Sequence, residues 1–560
     1  MDFSFSTWHN DTYHIVGKRN TILERGTKMY KKVFIDQCGY LPGAEKKLTI
    51  RCEQPMKFEV LRSDGAGVYG GVADVRIDNK AAGEIDYVGD FSAVTAPGLY
   101  YVRTEDNCES EVFAVGEDVY DDVFRKAMDF FYLQRCGMDL PKEACGLFAH
   151  PACHTGIGRT LDGSDTRDVT GGWHDAGDYG RYVGPGAMAV AQLLYAYSRN
   201  EKWAAAYACP DKHAESVFPA YLEECKYELD WMMKMQRADG ALYHKASCAH
   251  FCSFIMPEDE KEDMIISPVS VTATGDFAAV CAMAVPFYEK YDPAYAAKLA
   301  ECSKRAYAAM KSMELPGGFV NPPEITTGEY GDPQDLDERY WAAAELYKTF
   351  GDEEYRADFE ALAAESLYHG YGWVEMGSYG NLAYLSTDRP VDEALKSRIK
   401  ASMISLADKI LALYEADGYG TALGSKVYPW GSNLDVANNG LHLYDAWKLT
   451  GDEKYLRAAG AQIHYLLGRN PMGISYVSDC GTDSIKHPHH RPSGFLGKAM
   501  PGMVSGGPCS WLADAVAKGL LSKDVPPAKC FCDMTGSYST NEVTIYWNSA
   551  FLQLLASITE

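Results

Sequence analysis

The chain has 560 residues and a formal charge of −25, with 47% hydrophobic and 23% charged residues. That length exceeds what one simple core needs, so two or three domains are expected. The negative charge argues against nucleic acid or an anionic membrane as a partner, because both would be repelled, whereas a neutral ligand such as a glycan meets no such repulsion.

The first residues, MDFSFSTWHNDTYHIVGKRN, lack a basic head followed by an apolar run, so no secretory signal is read there. No apolar stretch looks long enough to span a bilayer. The 16 scattered cysteines then read as free thiols in a reducing cytoplasm; a signal removed ahead of the first residue would make the protein secreted instead. Met29 is an alternative start, which makes residues 1–29 an N-terminal extension.

From about residue 32 to 115 the pattern is β. Residues 32–35, 47–50, 58–61, 84–87 and 99–102 are short, partly alternating runs. Turn formers separate them at Gly39, Pro42-Gly43, Asp64-Gly65, Asp78-Asn79 and Pro97-Gly98. This predicts a small β-sandwich over residues 30–116. It holds no cluster of catalytic residue types, so it is read as a structural module packed on the next domain.

From residue 117 to 560 the texture is helical. Apolar residues recur at helical spacing over 119–134, 186–200, 218–236, 273–289, 294–313, 336–350, 392–415, 440–449, 453–467 and 541–558. Residues 342–355 (AAAELYKTFGDEEY) and 441–455 (LHLYDAWKLTGDEKY) form a weak repeat: a helix, Gly-Asp, then a second helix opening on acids. Stacked hairpins of this kind build solenoids or closed toroids. A closed ring gathers its long connecting loops at one end, as a cleft.

One such loop is residues 171–182, GGWHDAGDYGRY. Asp175 and Asp178 sit there among glycines that permit tight turns, beside Trp173, Tyr179 and Tyr182. Acids framed by aromatics suit a sugar, whose ring has apolar faces and polar edges; a tight acidic surface turn is the plainer reading. Glu542 is a second candidate acid, within FCDMTGSYSTNEVTIYWNSAFLQLLA at residues 531–556. Thr540 or Asn541 is expected to cap the final helix, which places Glu542 in its first turn. That position favours the ionised form. A general acid there would need desolvation by Tyr538, or a facing aspartate pair, to raise its pKa; a glutamate serving only the helix dipole is the alternative. Two carboxyl groups on opposite sides of a bond are what glycoside hydrolysis requires.

Phe531, Asp533, Tyr538, Glu542, Thr544, Asn548 and Ser549 fall at the spacing of the C-terminal signature of glycoside hydrolase family 9. The GGWHDAGDYGRY loop is similar to that family's aspartate loop. Residues 475–493, SYVSDCGTDSIKHPHHRPS, resemble its histidine–arginine signature, departing at Asp483, where the family usually has Asn, Lys or Arg. Further echoes are Leu467-Gly468-Arg469-Asn470-Pro471 and Trp430-Gly431-Ser432-Asn433. Residues 32–115 resemble the immunoglobulin-like module that precedes the catalytic domain in one branch.

The resemblance implies a multidomain chain, an immunoglobulin-like β-sandwich followed by an all-α (α/α)6 barrel that cleaves β-1,4-glucans with inversion. Asp178 matches the general base, Asp175 the partner that helps hold the attacking water, and Glu542 the general acid. His489 and Arg491 match sugar-binding positions. Tyr538 and Trp430 are candidate platforms for glucose rings, with a packing role for Trp430 left open.

Cys136, Cys153, His154 and His174 make a Cys2His2 set that suits a closed tetrahedral zinc site. Their spacing is not that of a zinc finger, and two free thiols beside two solvated histidines is the plainer reading. His174 adjoins Asp175, and neighbours in an extended segment point to opposite sides. A metal behind the loop would therefore fix it while Asp175 faces the cleft. The resemblance adds that some relatives in this branch are zinc proteins. It also admits calcium at Asp332, Asp335, Asp337 and Glu338, although a solvated acidic loop is the preferred reading there.

The sequence is thus read as a cytoplasmic endo-β-1,4-glucanase or cellodextrinase, acting on cello-oligosaccharides, cellulose or mixed-linkage β-glucan. An exo-acting β-glucosidase or β-glucosaminidase on the same scaffold is one alternative, and a non-catalytic glycan-binding protein is another. Oligomeric state has no sequence signal.

Overall fold

The structure, a computed structural model, describes residues 31–212, 216–313 and 318–560; the extension expected over 1–29 lies outside the described residues. Two sheets share one core at the N-terminal end. One orders Val33–Phe34, Lys47–Arg51, Glu84–Asp90 and Val75–Asn79; the other orders Gly39–Tyr40, Phe113–Val115, Gly98–Thr104, Met56–Arg62 and Gly67–Ala73. Met56–Arg62 alternates buried and exposed residues as far as Val60. Phe58 and Val60 thereby meet Val33, Leu48, Ile50, Tyr87, Val102 and Phe113. All five expected runs are strands. Gly67–Ala73 and Val75–Asn79 escaped prediction; most of their residues are exposed, and the first is broken by glycines.

The helical domain is an (α/α)6 barrel. Among the described residues, its inner layer is Val183–Arg199, Val271–Glu289, Leu336–Phe350, Gly377–Ser386, Ser432–Thr450 and Ile545–Ile558, each buried over most of its length. Its outer layer is Asp121–Leu133, Ala220–Met235, Pro293–Ser312, Glu353–Glu365, Glu393–Glu415 and Glu453–Leu466, each burying a narrower face. By length and composition Val271–Glu289 is apolar enough to cross a membrane, contrary to the sequence expectation. Here it is an inner helix, with 83% of its apolar window buried against its neighbours.

Gly377–Ser386 was not predicted, since Gly377, Ser378, Gly380 and Asn381 are weak helix formers. Ring packing and side-chain bonds hold it instead: Tyr340 donates to Asn381 at 2.6 Å, and Asn381 to the Tyr368 carbonyl at 2.6 Å. All 16 cysteines are free thiols.

A buried polar seam joins the sandwich to the barrel. The Asp36 carboxylate accepts the Tyr120 hydroxyl at 3.1 Å and the N–H groups of Cys38 and Gly39 at 2.8 and 3.1 Å, and lies 2.8 Å from His464 Nδ1. Burial pushes this carboxyl up, and His464 opposes that. Arg469 donates to Thr49 at 3.1 Å, and the Gln37 N–H to the Leu467 carbonyl at 3.0 Å. The LGRNP echo therefore serves the domain contact. Asp36→Ala strips His464 and Tyr120 of their buried partner. We expect a loss of about 3 kcal/mol, read as a lower midpoint of thermal unfolding; an unchanged midpoint would show that the seam contributes nothing net.

Candidate active site

The aspartate loop grows from a rigid stem. The Cys136 N–H donates to the Gly172 carbonyl at 2.8 Å, and the His174 N–H to the Gln134 carbonyl at 2.7 Å. Gly172 (φ 74°) approaches Trp231 so closely that a Cβ would lie 2.7 Å from the indole. Trp173 is anchored at both nitrogens, its backbone N–H on Glu228 at 2.7 Å and its indole N–H on Glu224 at 2.8 Å. Along this extended stem His174 turns toward the thiols and Asp175 toward the cleft. The Asp175 carboxylate accepts the Tyr330 hydroxyl at 2.5 Å. Asp178 accepts the Gly180 N–H at 3.0 Å and the Tyr182 hydroxyl at 3.1 Å. The Asp175 carbonyl accepts the Ile545 N–H at 2.8 Å, tying the loop to the final helix.

The final helix is capped by Thr544, whose hydroxyl accepts the Trp547 N–H at 3.1 Å. The cap expected at Thr540 or Asn541 is therefore displaced. Those residues end a short helix, Tyr538–Asn541, and Glu542 follows it in extended backbone at φ −69° and ψ 165°. Their side chains are engaged elsewhere: Thr540 bonds Ser537 at 2.7 Å, and Asn541 donates to Asp533 at 2.9 Å. This correction removes the difficulty raised by the sequence, because Glu542 is no longer in a helical first turn that favours its ionised form. Burial pushes its carboxyl well above the usual range; Asp178 and Asp175 add to that, while Arg491 and a bond from the Gly177 backbone oppose it. Burial also raises Asp175 well above the usual range, with Tyr330 opposing and Asp178 adding.

Gly177 joins the two halves. Its carbonyl accepts the Arg491 N–H at 3.1 Å and Nη1 at 2.6 Å, across 314 positions of chain. A Cβ at Gly177 would fall 2.3 Å from the His489 carbonyl oxygen. His489 in turn forms a backbone bridge with Glu542. Its Nδ1 lies 2.7 Å from the Thr535 carbonyl, and its ring is 5.8 Å from that of Tyr538. Tyr538 packs at 5.2 Å on Trp430, which stays 43% exposed and thus free to meet a ligand. The aberrant Asp483 points at Lys486, 3.5 Å away. Tyr330 was missed by the sequence reading. It sits at φ 46° with its hydroxyl on Asp175 and its ring against Tyr182, Trp373 and Tyr546; an aromatic among glycines at 328–331 was its only signal.

The predicted Cys2His2 set also converges. Cys136 Sγ is 3.9 Å from Cys153 Sγ and 3.7 Å from His154 Nδ1, and Cys153 Sγ is 3.7 Å from His174 Nε2. All four ligand atoms lie within 4.8 Å of one another, a group able to hold a metal ion. The acidic run departs from expectation: Asp332, Asp335, Asp337 and Glu338 are buried, not solvated. Asp335 pairs with Arg339 at 2.7 Å and Asp337 accepts the Met376 N–H at 2.7 Å. Among the described residues, both Glu338 carboxylate oxygens and one each of Asp332 and Asp276 lack a close hydrogen-bond partner.

A carboxyl whose proton is held more tightly than usual and which interacts with two aspartates is equipped to protonate a leaving oxygen while the aspartates act on water. The model of glycosyl hydrolase family 9 matches residues 120–555, and that of the cellulase N-terminal ig-like domain matches residues 28–109. The chain belongs to glycosyl hydrolase family 9. The cellodextrinase of Butyrivibrio fibrisolvens is 37% identical over 551 residues, spanning 95% of this chain and 100% of that relative. Endoglucanase D of Acetivibrio thermocellus is 36% identical over 539 residues, spanning 94% and 83%. A thermostable endoglucanase from Alicyclobacillus acidocaldarius superposes with a TM-score of 0.90 at 33% identity, covering 95% of this chain and 100% of its own. A Zn-binding triple mutant of another family 9 endoglucanase gives 0.87 at 30% identity, covering 93% and 99%. The immunoglobulin-like module and the barrel expected from the sequence are both family 9 features of this chain.

Two substitutions probe the geometry. Gly177→Ala should lower kcat/KM by about 100-fold with circular dichroism unchanged, since misplacing a reacting group by about 1 Å costs that much. Tyr330→Phe removes the hydroxyl that opposes the rise of the Asp175 carboxyl. That carboxyl should then titrate at still higher pH, and the acid limb of the kcat/KM profile should shift upward; a stationary limb would exclude Asp175 from it.

Proposed function

We propose that this family 9 enzyme hydrolyses β-1,4-glucosidic bonds in cello-oligosaccharides and related soluble glucans with inversion at the anomeric carbon. Glu542 is the general acid, Asp178 the general base, and Asp175 its partner in holding the water. One observation carries the reading: Glu542 lies out of a helical turn, half-buried, and its carboxyl is raised by withdrawal from water and then by Asp178 and Asp175. Such a carboxyl keeps its proton at pH values where ordinary carboxylates have lost theirs. His489 and Arg491, fixed beside it, are placed to bind sugar hydroxyls, and Tyr538 with Trp430 offers an aromatic platform. The names of the relatives at 36–37% identity, cellodextrinase and endoglucanase, support this substrate class over the exo-acting and non-catalytic readings.

The metal behind the loop is zinc in this reading. Bonds of about 2.3 Å to sulfur and about 2.0 Å to nitrogen in a tetrahedron require roughly 3.8 Å between sulfurs and about 3.5 Å from sulfur to nitrogen. The 3.9 and 3.7 Å separations here fit that frame. Bound zinc supplies a fixed anchor for the stem that carries Asp175 and takes no part in bond breaking.

Cellopentaose hydrolysis followed by proton NMR should release α-anomers first, and release of β-anomers alone would contradict inversion. Glu542→Gln should cost about 100-fold or more in kcat on unactivated oligosaccharides and less on substrates with an acidic leaving group; full activity on cellopentaose would remove Glu542 as the acid. Metal analysis of protein purified without added metal should find zinc near one per chain, and a content near zero would contradict the zinc reading.

A further inference from the structure

The segment from Cys248 to Glu260 touches both the metal group and the cleft. At its far end a short turn, Pro257–Asp259, delivers Glu260 to His154. The Glu260 carboxylate lies 2.8 Å from His154 Nε2, with the two side chains only 7% and 1% exposed. The opposite ring nitrogen, Nδ1, faces Cys136 Sγ at 3.7 Å. His154 is thus held at both nitrogens, on a backbone in the left-handed region (φ 49°). If Nδ1 is to offer its lone pair to a metal, Nε2 must carry the ring proton and donate it to Glu260. A carboxylate in that place fixes the tautomer, aims the ring and makes its free nitrogen a stronger donor.

The same segment reaches the proposed sugar-binding residues. The Cys252 carbonyl accepts Arg491 Nε at 3.1 Å. The Phe254 ring stands edge-on to His489 at 5.3 Å, and the Phe251 ring lies 5.3 Å from the Arg491 guanidinium. The Ile255 carbonyl accepts the Tyr179 hydroxyl at 2.5 Å, and the Tyr179 ring lies between the two regions, 4.8 Å from His174. One stretch of 13 residues, counted from 248 through 260, is therefore stapled at one end to a metal ligand and along its length to Arg491 and His489.

We propose that Glu260 is a positioning residue that fixes His154 for the metal and, through this segment, makes metal occupancy set the seating of Arg491 and His489 against the sugar. The proposal rests on the zinc reading above. Without the Glu260 contact the metal is held less tightly and the segment loses its anchor, so substrate binding weakens more than bond breaking does.

The test uses the full chain as wild type, Glu260→Ala and Glu260→Gln. Zinc retention is read by competition with a chromogenic chelator, and KM and kcat are measured on cellotetraose. Glu260→Ala should weaken zinc binding about 10- to 100-fold and raise KM by a larger factor than it lowers kcat. Glu260→Gln, whose amide oxygen still accepts the Nε2 proton, should fall between it and wild type. Wild type stripped of zinc should show the raised KM of Glu260→Ala, and stripping the variant should add nothing further. Wild type purified without zinc, and unable to take it up, would sink the metal reading itself. Zinc held equally tightly by wild type and Glu260→Ala would overturn the proposal while leaving that reading standing, and so would weakened zinc with KM unmoved.

Discussion

The site depends on how closely one peptide, that of Gly177, can approach the strand at His489. Its carbonyl is gripped twice by Arg491, its backbone opposes the rise of Glu542, and its missing Cβ is what lets the His489 carbonyl come so near. Two loops that belong to opposite ends of the helical domain thus meet through main chain. Side chains set on such a frame are located to within the tolerance that acid–base chemistry demands. The aromatic and acidic residues around it then do what their burial dictates: carboxyls withdrawn from water resist ionisation, and those facing other carboxyls resist it more.

Burial without full pairing recurs elsewhere in the molecule, with different outcomes. At the seam, Asp36 is surrounded by donors and its cost is offset locally. In the acid cluster around Glu338, several oxygens have no close hydrogen-bond partner among the described residues, and burial raises the Glu338 and Asp332 carboxyls. At Cys136, Cys153, His154 and His174, thiols and imidazoles gather within 4.8 Å of one another, a group able to hold a metal ion. Charge that composition alone would assign to a solvated surface is in part internal and organised.

Much of this was legible in the sequence because it lies in contiguous strings. The aspartate loop, the Tyr538-to-Ser549 run and the histidine–arginine block each place several functional residues within a few turns of chain, and helical periodicity exposed most of the barrel. What escaped reading is non-local. Tyr330 acts on Asp175 across 155 positions, and Glu260 on His154 across 106. The helix Gly377–Ser386 exists because its neighbours pack on it, against its own propensity. The cap of the last helix was misplaced because three adjacent candidates, Thr540, Asn541 and Thr544, share the chemistry, and only tertiary bonds decide that the first two are engaged elsewhere. The acids at 332–338 read as solvated for a similar reason: a run of like charge gives no hint that a ring of helices will close over it.

The Asp36 seam has a bearing on how this architecture can be rearranged. A module joined by exposed linkers can be moved between proteins as a cassette, whereas this sandwich leaves a carboxylate, a tyrosine and a histidine interlocked in one buried contact. Excising it would flood that contact with water and strand the polar groups on the barrel side. The two units should therefore melt as a single cooperative body, and recombination in evolution or engineering is confined to exchanging them together.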